Sequence, residues 1–230
     1  MPEFLVNFGN DIYRNLIYAD RWKMILNGLL VTLEITAAAI LIGTVLGIIA
    51  CLMKMSKHKF LSIPAKIYIT VIRGTPMMIQ LLITYNIIFA PFKSVDKMVI
   101  AIIAFGINSG AYIAEIFRSG IMSVDKGQIE AGRSLGLKNW QTMTSIVLPQ
   151  ALKNCLPTYV SEFIVLIKET SIVGYIALED LTKASDIIQS RTYSPFVPLI
   201  TAALVYLTMT LVLSWLFGKL ERRLRESDIR

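Results

Sequence analysis

Apolar residues in this chain come in long, unbroken runs rather than in the alternating or three-to-four spacing of a soluble element. Runs over about 24–53, 60–92, 98–117, 156–178 and 195–217 each reach the roughly 20 helical residues needed to cross a hydrocarbon core of about 30 Å. The pattern predicts an all-α integral membrane fold of five transmembrane helices. The second run is interrupted by Arg73-Gly74-Thr75-Pro76. Proline has no N–H and its ring crowds the preceding turn, so a helix kinks or breaks there. No polar turn divides this run, and residues 60–72 are short for a span of their own. The expectation is one long, tilted helix kinked at Pro76, its first turns reaching into the cytosol. Ahead of the first run, Phe4, Leu5, Phe8, Ile12 and Leu16 recur at helical spacing. They predict an amphipathic lead-in over 1–23 that lies on the extracytoplasmic membrane surface. Its interspersed charges, Glu3, Asp11 and Arg14 among them, speak against a cleavable signal peptide.

The longest polar stretch, 119–154, falls between the third and fourth runs. Asp125 precedes Gln128 at the spacing of a capping box and predicts a helix start. Gly136 is placed to close that helix in the left-handed conformation that glycine adopts freely. A second short helix is expected from Asn139, carrying Trp140, Met143, Ile146 and Val147 and ending near Leu148-Pro149. The apolar face of such a pair needs cover, either from the chain's own spans or from a soluble partner; periodicity does not choose between them. In the first run, Gly43-Thr-Val-Leu-Gly47 has the GxxxG spacing that lets helix backbones approach closely.

Composition agrees with a membrane chain. Of 230 residues, 55% are hydrophobic and 17% charged, against about 25% charged in a typical soluble domain, and mean hydropathy is +0.61. The net charge of +7 fits cations gathered on one membrane side. With five spans, Lys54, Lys57, Lys59, Arg118, Lys126, Arg133, Lys138, Lys153, Lys219, Arg222, Arg223, Arg225 and Arg230 fall on one side. Arg14, Arg21, Lys23, Lys93, Lys97, Lys183 and Arg191 fall on the other. The positive-inside rule then puts the N-terminus outside and the C-terminus in the cytoplasm. The organisation is a transmembrane domain over 24–217 and a basic cytoplasmic tail over 218–230. Cys51 and Cys155 lack CxxC spacing and read as small apolar packing residues; His58 reads as a solvated turn residue. No catalytic constellation, metal cluster or phosphate-cradling glycine loop is apparent, which speaks against an enzyme.

Glu130-Ala-Gly-Arg-Ser-Leu-Gly136, then nine residues, then Ile146-Val-Leu-Pro149, resembles the EAA loop of bacterial ABC importer permeases. The one departure is Gly132 where the family has a third small residue. Arg73-Gly-Thr-Pro76 with Gln80, Ser109-Gly-Ala-Tyr-Ile-Ala-Glu115 and Lys168-Glu-Thr-Ser171 are similar to the polar amino-acid uptake branch of that family. The resemblance implies a permease dimer, homo- or heteromeric, with cytoplasmic ABC ATPase subunits and an extracytoplasmic solute-binding protein. It implies a path for a polar amino acid, ATP and Mg on the partner ATPase with no cofactor on this chain, and residence in the bacterial plasma membrane. Glu130, Ala131, Gly132, Arg133, Leu135, Gly136, Ile146, Leu148 and Pro149 would then make the ATPase-coupling element, a rigid surface helix that transmits a motor's motion.

Ionisable residues at membrane depth are costly and are functional candidates by default. Arg73, Glu115, Lys168 and Glu169 are expected to pair among themselves and hold helices together. Thr75, Gln80, Asn108, Ser109, Glu162 and Ser171 are the candidates for substrate binding, with Glu162 able to receive an ammonium group. Two other classes compete. An ion channel or other non-ATP-driven transporter would leave the structured loop unexplained, and a membrane enzyme lacks catalytic groups.

Overall fold

The computed structural model describes residues 9–226, the side chains of residue 220 and residues 222–226 excepted. Phe4, Leu5 and Phe8 of the expected lead-in, and the side chains of Arg222, Arg223, Arg225 and Arg230, lie outside the described residues. Those described form an all-helical chain. After two irregular helical turns at Tyr13–Ile17 and Tyr18–Asp20 come α1 (Trp22–Met55), α2 (Lys59–Arg73), α3 (Met77–Ile83), α4 (Lys97–Met122), α5 (Lys126–Ser134) and α6 (Asn139–Thr142). They are followed by α7 (Leu148–Glu169), α8 (Leu181–Thr192) and α9 (Phe196–Glu226).

α1, α4 and α9 are each long and apolar enough to cross a membrane. At 34 residues, α1 is about 50 Å long, well over the hydrocarbon thickness. The run expected as one kinked helix is instead two. α2 ends at Arg73 with the Gly74 N–H on the Thr70 carbonyl at 3.0 Å, and α3 begins after Pro76 with a bend of 109°. Proline bars its predecessor, Thr75, from the helical region, and the flanking glycine removes the steric reason to stay straight. If α2 and α3 count as one broken span, four segments have the length and composition to cross. α7, at 22 residues, is long enough, but Lys153, Glu162, Lys168 and Glu169 within it leave composition alone unable to mark it. It also occupies 148–169 rather than the expected 156–178, the rest being a 3-10 turn, Thr170–Ile176.

The chain divides into two compact units, and α1, α4, α7 and α9 each contribute a segment to both. The first unit comprises the chain up to Ala38, Met77–Phe105 and Leu166–Leu213. Its centre is α8, an element absent from the sequence expectation. Leu181, Ala184 and Ile188 at helical spacing pack with Ile25 and Ala202. Polar groups pin both ends of this helix. Asp180 caps it by accepting the Thr182 and Lys183 N–H groups at 3.1 and 2.9 Å, and the Tyr206 hydroxyl donates to the same carboxylate at 3.2 Å. At the far end the Thr192 hydroxyl donates to the Asn15 side-chain carbonyl at 2.7 Å, both residues being buried. Arg14 Nη2 donates to the Thr192 carbonyl at 2.9 Å. α1 runs so close to the α8 cap that a Cβ on Gly28 would lie 2.6 Å from the Asp180 carbonyl oxygen.

The second unit comprises Ala39–Pro76, Gly106–Val165 and the chain from Ser214. Here α1 and α4 cross on glycine from both sides. A Cβ on Gly43 would meet Ser109 Cβ at 3.0 Å and the Gly106 carbonyl at 3.2 Å; one on Gly47 would meet Ile113 Cγ2 at 2.6 Å. The Gly43–Gly47 spacing thus has a counterpart in Gly106–Gly110, and the two backbones touch. Beyond the crossing, Ala50, Cys51, Ile69, Ala111 and Ala114 close the core.

Candidate functional site: the surface loop and the charged helix positions

The loop from Ser123 to Pro149 is folded by local hydrogen bonding. The Asp125 carboxylate accepts the Gly127 N–H at 2.7 Å and starts α5. The helix stops in a Schellman motif: the Gly136 N–H donates to the Arg133 carbonyl at 2.9 Å and the Leu137 N–H to the Gly132 carbonyl at 3.1 Å. Gly136 sits at φ +85°, where any side chain is strained. α6 then begins, its Lys138 N–H held by Gln141 Oε1 at 2.9 Å. The expected stop at Leu148-Pro149 does not occur. The helix widens to a π-turn over Met143–Val147, with the Leu148 N–H on the Met143 carbonyl, and continues directly into α7. That widening sits where Pro149 has no N–H to give the preceding turn, so the chain absorbs the proline instead of ending.

This loop has a small core and an open face. Val124, Val147 and Ala151 are buried together, with Ile129 and Ile121 against them. Under the loop, Gly120 lets α4 approach α7: a Cβ there would lie 2.8 Å from both the Ala151 carbonyl and Cys155 Cβ. Seven of the nine expected coupling residues, Glu130, Ala131, Arg133, Leu135, Gly136, Leu148 and Pro149, are exposed. Gly132 is buried and Ile146 half-buried, and they face each other: a Cβ on Gly132 would be 2.7 Å from Ile146 Cδ1. Leu135 at 84% and Trp140 at 64% exposure are large apolar groups at full display. The chain covers part of the loop's apolar surface itself, with Ile129 packed inward, while Leu135 and Trp140 remain uncovered among the described residues.

The charged helix positions are arranged differently from expectation. Glu115 is the hub of an ion cluster. One oxygen takes the Lys54 ammonium, and the other takes Arg118 Nε and Nη2 at 3.0 and 2.8 Å. Arg73 lies 5.2 Å over the Tyr112 ring, a cation–π contact. Lys168 is exposed and Glu169 half-buried, and neither forms a salt bridge with a described residue. The expected foursome is therefore replaced by Lys54, Glu115 and Arg118. Lys54, counted above among the cations on one membrane side, lies within α1, which is helical through Met55, and reaches Glu115. Asp180 was missed as well. Its signal is an aspartate ahead of Leu181-x-x-Ala184-Ser185-x-x-Ile188, a cap followed by helical spacing. Burial pushes the Asp180 carboxyl above the usual carboxylate range, against the pull of the two backbone N–H donors and Tyr206.

Among the substrate candidates, Asn108 and Ser109 are buried on α4. Ser109 is turned into the α1 crossing against Gly43, and its hydroxyl has no hydrogen-bond partner among the described residues. Thr75 is exposed and its hydroxyl donates to the Val71 carbonyl at 2.9 Å, finishing α2. Glu162 is half-buried on α7. Gln80 on α3 and Ser171 in the 3-10 turn are half-buried in the first unit. Cys51 and Cys155 are free and buried. Among the described residues no cluster of His, Cys, Asp and Glu is able to hold a metal.

A membrane-embedded helical chain with one structured polar loop and a glycine-lined core is the class of protein these features define. Residues 39–226 match the family described as the binding-protein-dependent transport system inner membrane component, and the chain belongs to it. The chain is 36% identical over 227 residues, 97% of its length and 99% of the relative's, to a putative glutamine transport system permease protein of Rickettsia bellii. It is 39% identical over 206 residues, 89% of its length and 94% of the relative's, to the arginine transport system permease protein of Bacillus subtilis. Its fold superimposes on the crystal structure of an amino acid ABC transporter with histidines. That match has a TM-score of 0.83 and 46% identity, covering 87% of this chain and 94% of that one.

Proposed function

We propose that this chain is the membrane permease of an ATP-driven importer of a polar amino acid, and that the loop over 119–154 is where the ATPase grips it. The observation that carries the reading is the Schellman-capped helix α5 with Glu130, Arg133 and Leu135 outermost. A helix stopped this sharply, resting on its own small core, is a rigid knob, and Leu135 and Trp140 supply apolar anchors of the kind that dominate docking energy. The chain has no phosphate-binding glycine loop of its own, so ATP and Mg belong on the partner and no cofactor is assigned here. The names of the relatives support an amino acid as the cargo.

In this reading the membrane domain runs over 24–217 and the basic tail over 218–230. The spans are α1, the broken pair α2–α3, α4, α7 and α9, the chain enters from outside, and the loop and C-terminus are cytoplasmic. A second permease copy completes the path and an extracytoplasmic solute-binding protein delivers the amino acid. Thr75, Gln80, Asn108, Glu162 and Ser171 remain candidates for touching it. Ser109 is better suited to the helix crossing in the state described.

The test is co-purification with the cognate ATPase followed by reconstitution in liposomes. ATP hydrolysis is expected to rise with one member of an amino-acid panel in the presence of its binding protein. No rise with any member, or an ATPase that binds equally well after the Glu130–Pro149 segment is scrambled, would refute the reading.

A further inference from the structure

We propose that an anionic phospholipid is bound in the trough between α1, α4 and α7 of the second unit, with its phosphate at the Lys54–Glu115–Arg118 cluster. Two cavities of about 380 and 450 Å³ share Phe117, Leu152 and Cys155 and so form one continuous trough. Ile48 and Leu52 of α1, Phe117 and Ile121 of α4, and Leu152 and Leu156 of α7 make its walls. Leu52, Leu152 and Ile48 are 64%, 51% and 45% exposed. An open apolar trough in a membrane chain is filled by hydrocarbon or by protein, and its rim decides between them.

The helices that line the trough carry cations close to its walls. Lys54 follows the trough-lining Cys51 by three residues and Arg118 follows Phe117 directly. Both hold the single carboxylate of Glu115, yet their side chains keep 22% and 28% of their surface accessible. Two cations on one carboxylate leave a net positive charge at the edge of an apolar channel, where an unneutralised charge is costly. Arg118 gives Nε and Nη2 to Glu115, while its Nη1 meets the Met122 thioether, a weak acceptor. A phosphate oxygen is a far better one, and guanidinium geometry suits it. Lys153, beside Leu152, adds a further cation to the trough wall. Acyl chains on the walls and a phosphate at this rim satisfy both halves of the site, as in other basic pockets between membrane helices. A second permease copy seated there would have to bring its own acid.

The assembled transporter, with its ATPase, is incubated with equal amounts of phosphatidylglycerol and phosphatidylcholine in mild detergent. Retained lipid is then counted by native mass spectrometry. Preferential retention of phosphatidylglycerol, one per permease copy, is expected. Leu152→Trp fills an exposed part of the trough and is expected to abolish the preference. Lys54→Gln leaves Glu115 still held by Arg118 and is expected to weaken phosphatidylglycerol retention about fivefold. Equal retention of the two lipids, or a preference that both variants keep, overturns the proposal. So does a copy-to-copy disulfide formed by Leu52→Cys in a chain with Cys51 and Cys155 replaced by alanine, which would seat protein in the trough. None of these readouts depends on the identity of the transported solute.

Discussion

Gly132 lies beneath Ile146 with room for a hydrogen and no more: a Cβ built on the glycine comes within 2.7 Å of the isoleucine Cδ1. The pair joins α5 to the π-turn ahead of α7, so the position where this chain departs from the EAA pattern is set by what stands over it. Gly132→Ala adds helix propensity worth about 1 kcal/mol but requires Ile146 to rotate away. Ile146→Val removes the offending methyl. The double variant is therefore expected to be more stable than Gly132→Ala alone by a non-additive margin of about 0.5–1 kcal/mol. Thermal unfolding of the four members of the cycle in detergent measures it. Additive effects would mean that the two residues do not meet.

Gly136 has a different constraint. At φ +85° a Cβ costs about 1–2 kcal/mol, although nothing lies within 4 Å of it. Gly136→Val is therefore expected to loosen the end of α5 without a steric clash, lowering amino-acid-stimulated ATP hydrolysis and uptake together while basal hydrolysis by the ATPase persists. Gly136→Asn, which tolerates the left-handed region, is expected to retain most uptake. Paired assays of hydrolysis and uptake in the same liposomes decide. A valine variant with normal stimulation would show that the turn is not part of the coupling element.

Removal of Glu115 is predicted to be worse than removal of either cation it holds. Glu115→Gln leaves Lys54 and Arg118 as neighbouring like charges, both less than a third exposed. Breaking a half-buried pair in this way costs about 2 kcal/mol. Lys54→Met keeps the two-point Arg118 contact with Glu115 and is expected to cost a third of that or less. Unfolding midpoints in a common detergent rank the two. A Lys54→Met loss as large as that of Glu115→Gln would contradict the cluster.

The contrast between Glu115 and Gly136 shows what a sequence of this kind discloses. Long apolar runs, an interruption at Pro76 and the cap at Gly136 were legible because each follows from a local rule: transfer energy, a missing N–H, a positive φ; that Pro76 divides its run into two helices bent by 109° instead of kinking one was not. The partners of Glu115 were not, because Lys54 is remote in sequence and only the rotation of α1 against α4 brings it close. α8 escaped notice because its 12 residues are amphipathic and short beside the apolar runs on either side. Pro149 misled for the opposite reason. A proline that usually ends a helix is accommodated here by a π-turn, a choice made by the packing of Val147 and Ala151 on Val124. Ser109 looked like a binding group by residue type, and its direction was decided by the glycines opposite it.

Asp180 makes stability depend on pH in a direction unusual for a carboxylate. Burial raises its pKa in the folded chain, so the folded state takes up a proton more readily than the unfolded one. The stabilisation from this group is full below the ordinary aspartate value of about 3.9. It declines as pH rises through the elevated folded value, since the ionised carboxylate must then be held in a buried site. Asp180→Asn keeps a side-chain oxygen to cap α8 and carries no charge, so its unfolding midpoint is expected to lack this decline and to match or exceed that of the parent chain at neutral pH. Asp180→Ala loses the cap, worth about 1 kcal/mol, and takes one of its partners from the Tyr206 hydroxyl, which keeps Thr182 Oγ1 at 3.1 Å, so it is expected to be the least stable of the three at every pH. Midpoints measured in detergent from about pH 4 to pH 7 follow the titration across the range where carboxylates ionise. A parent chain that instead gains stability over the parent-minus-Asn difference as pH rises would mean that the hydrogen bonds from Thr182, Lys183 and Tyr206 outweigh burial, and that Asp180 is held as a carboxylate throughout.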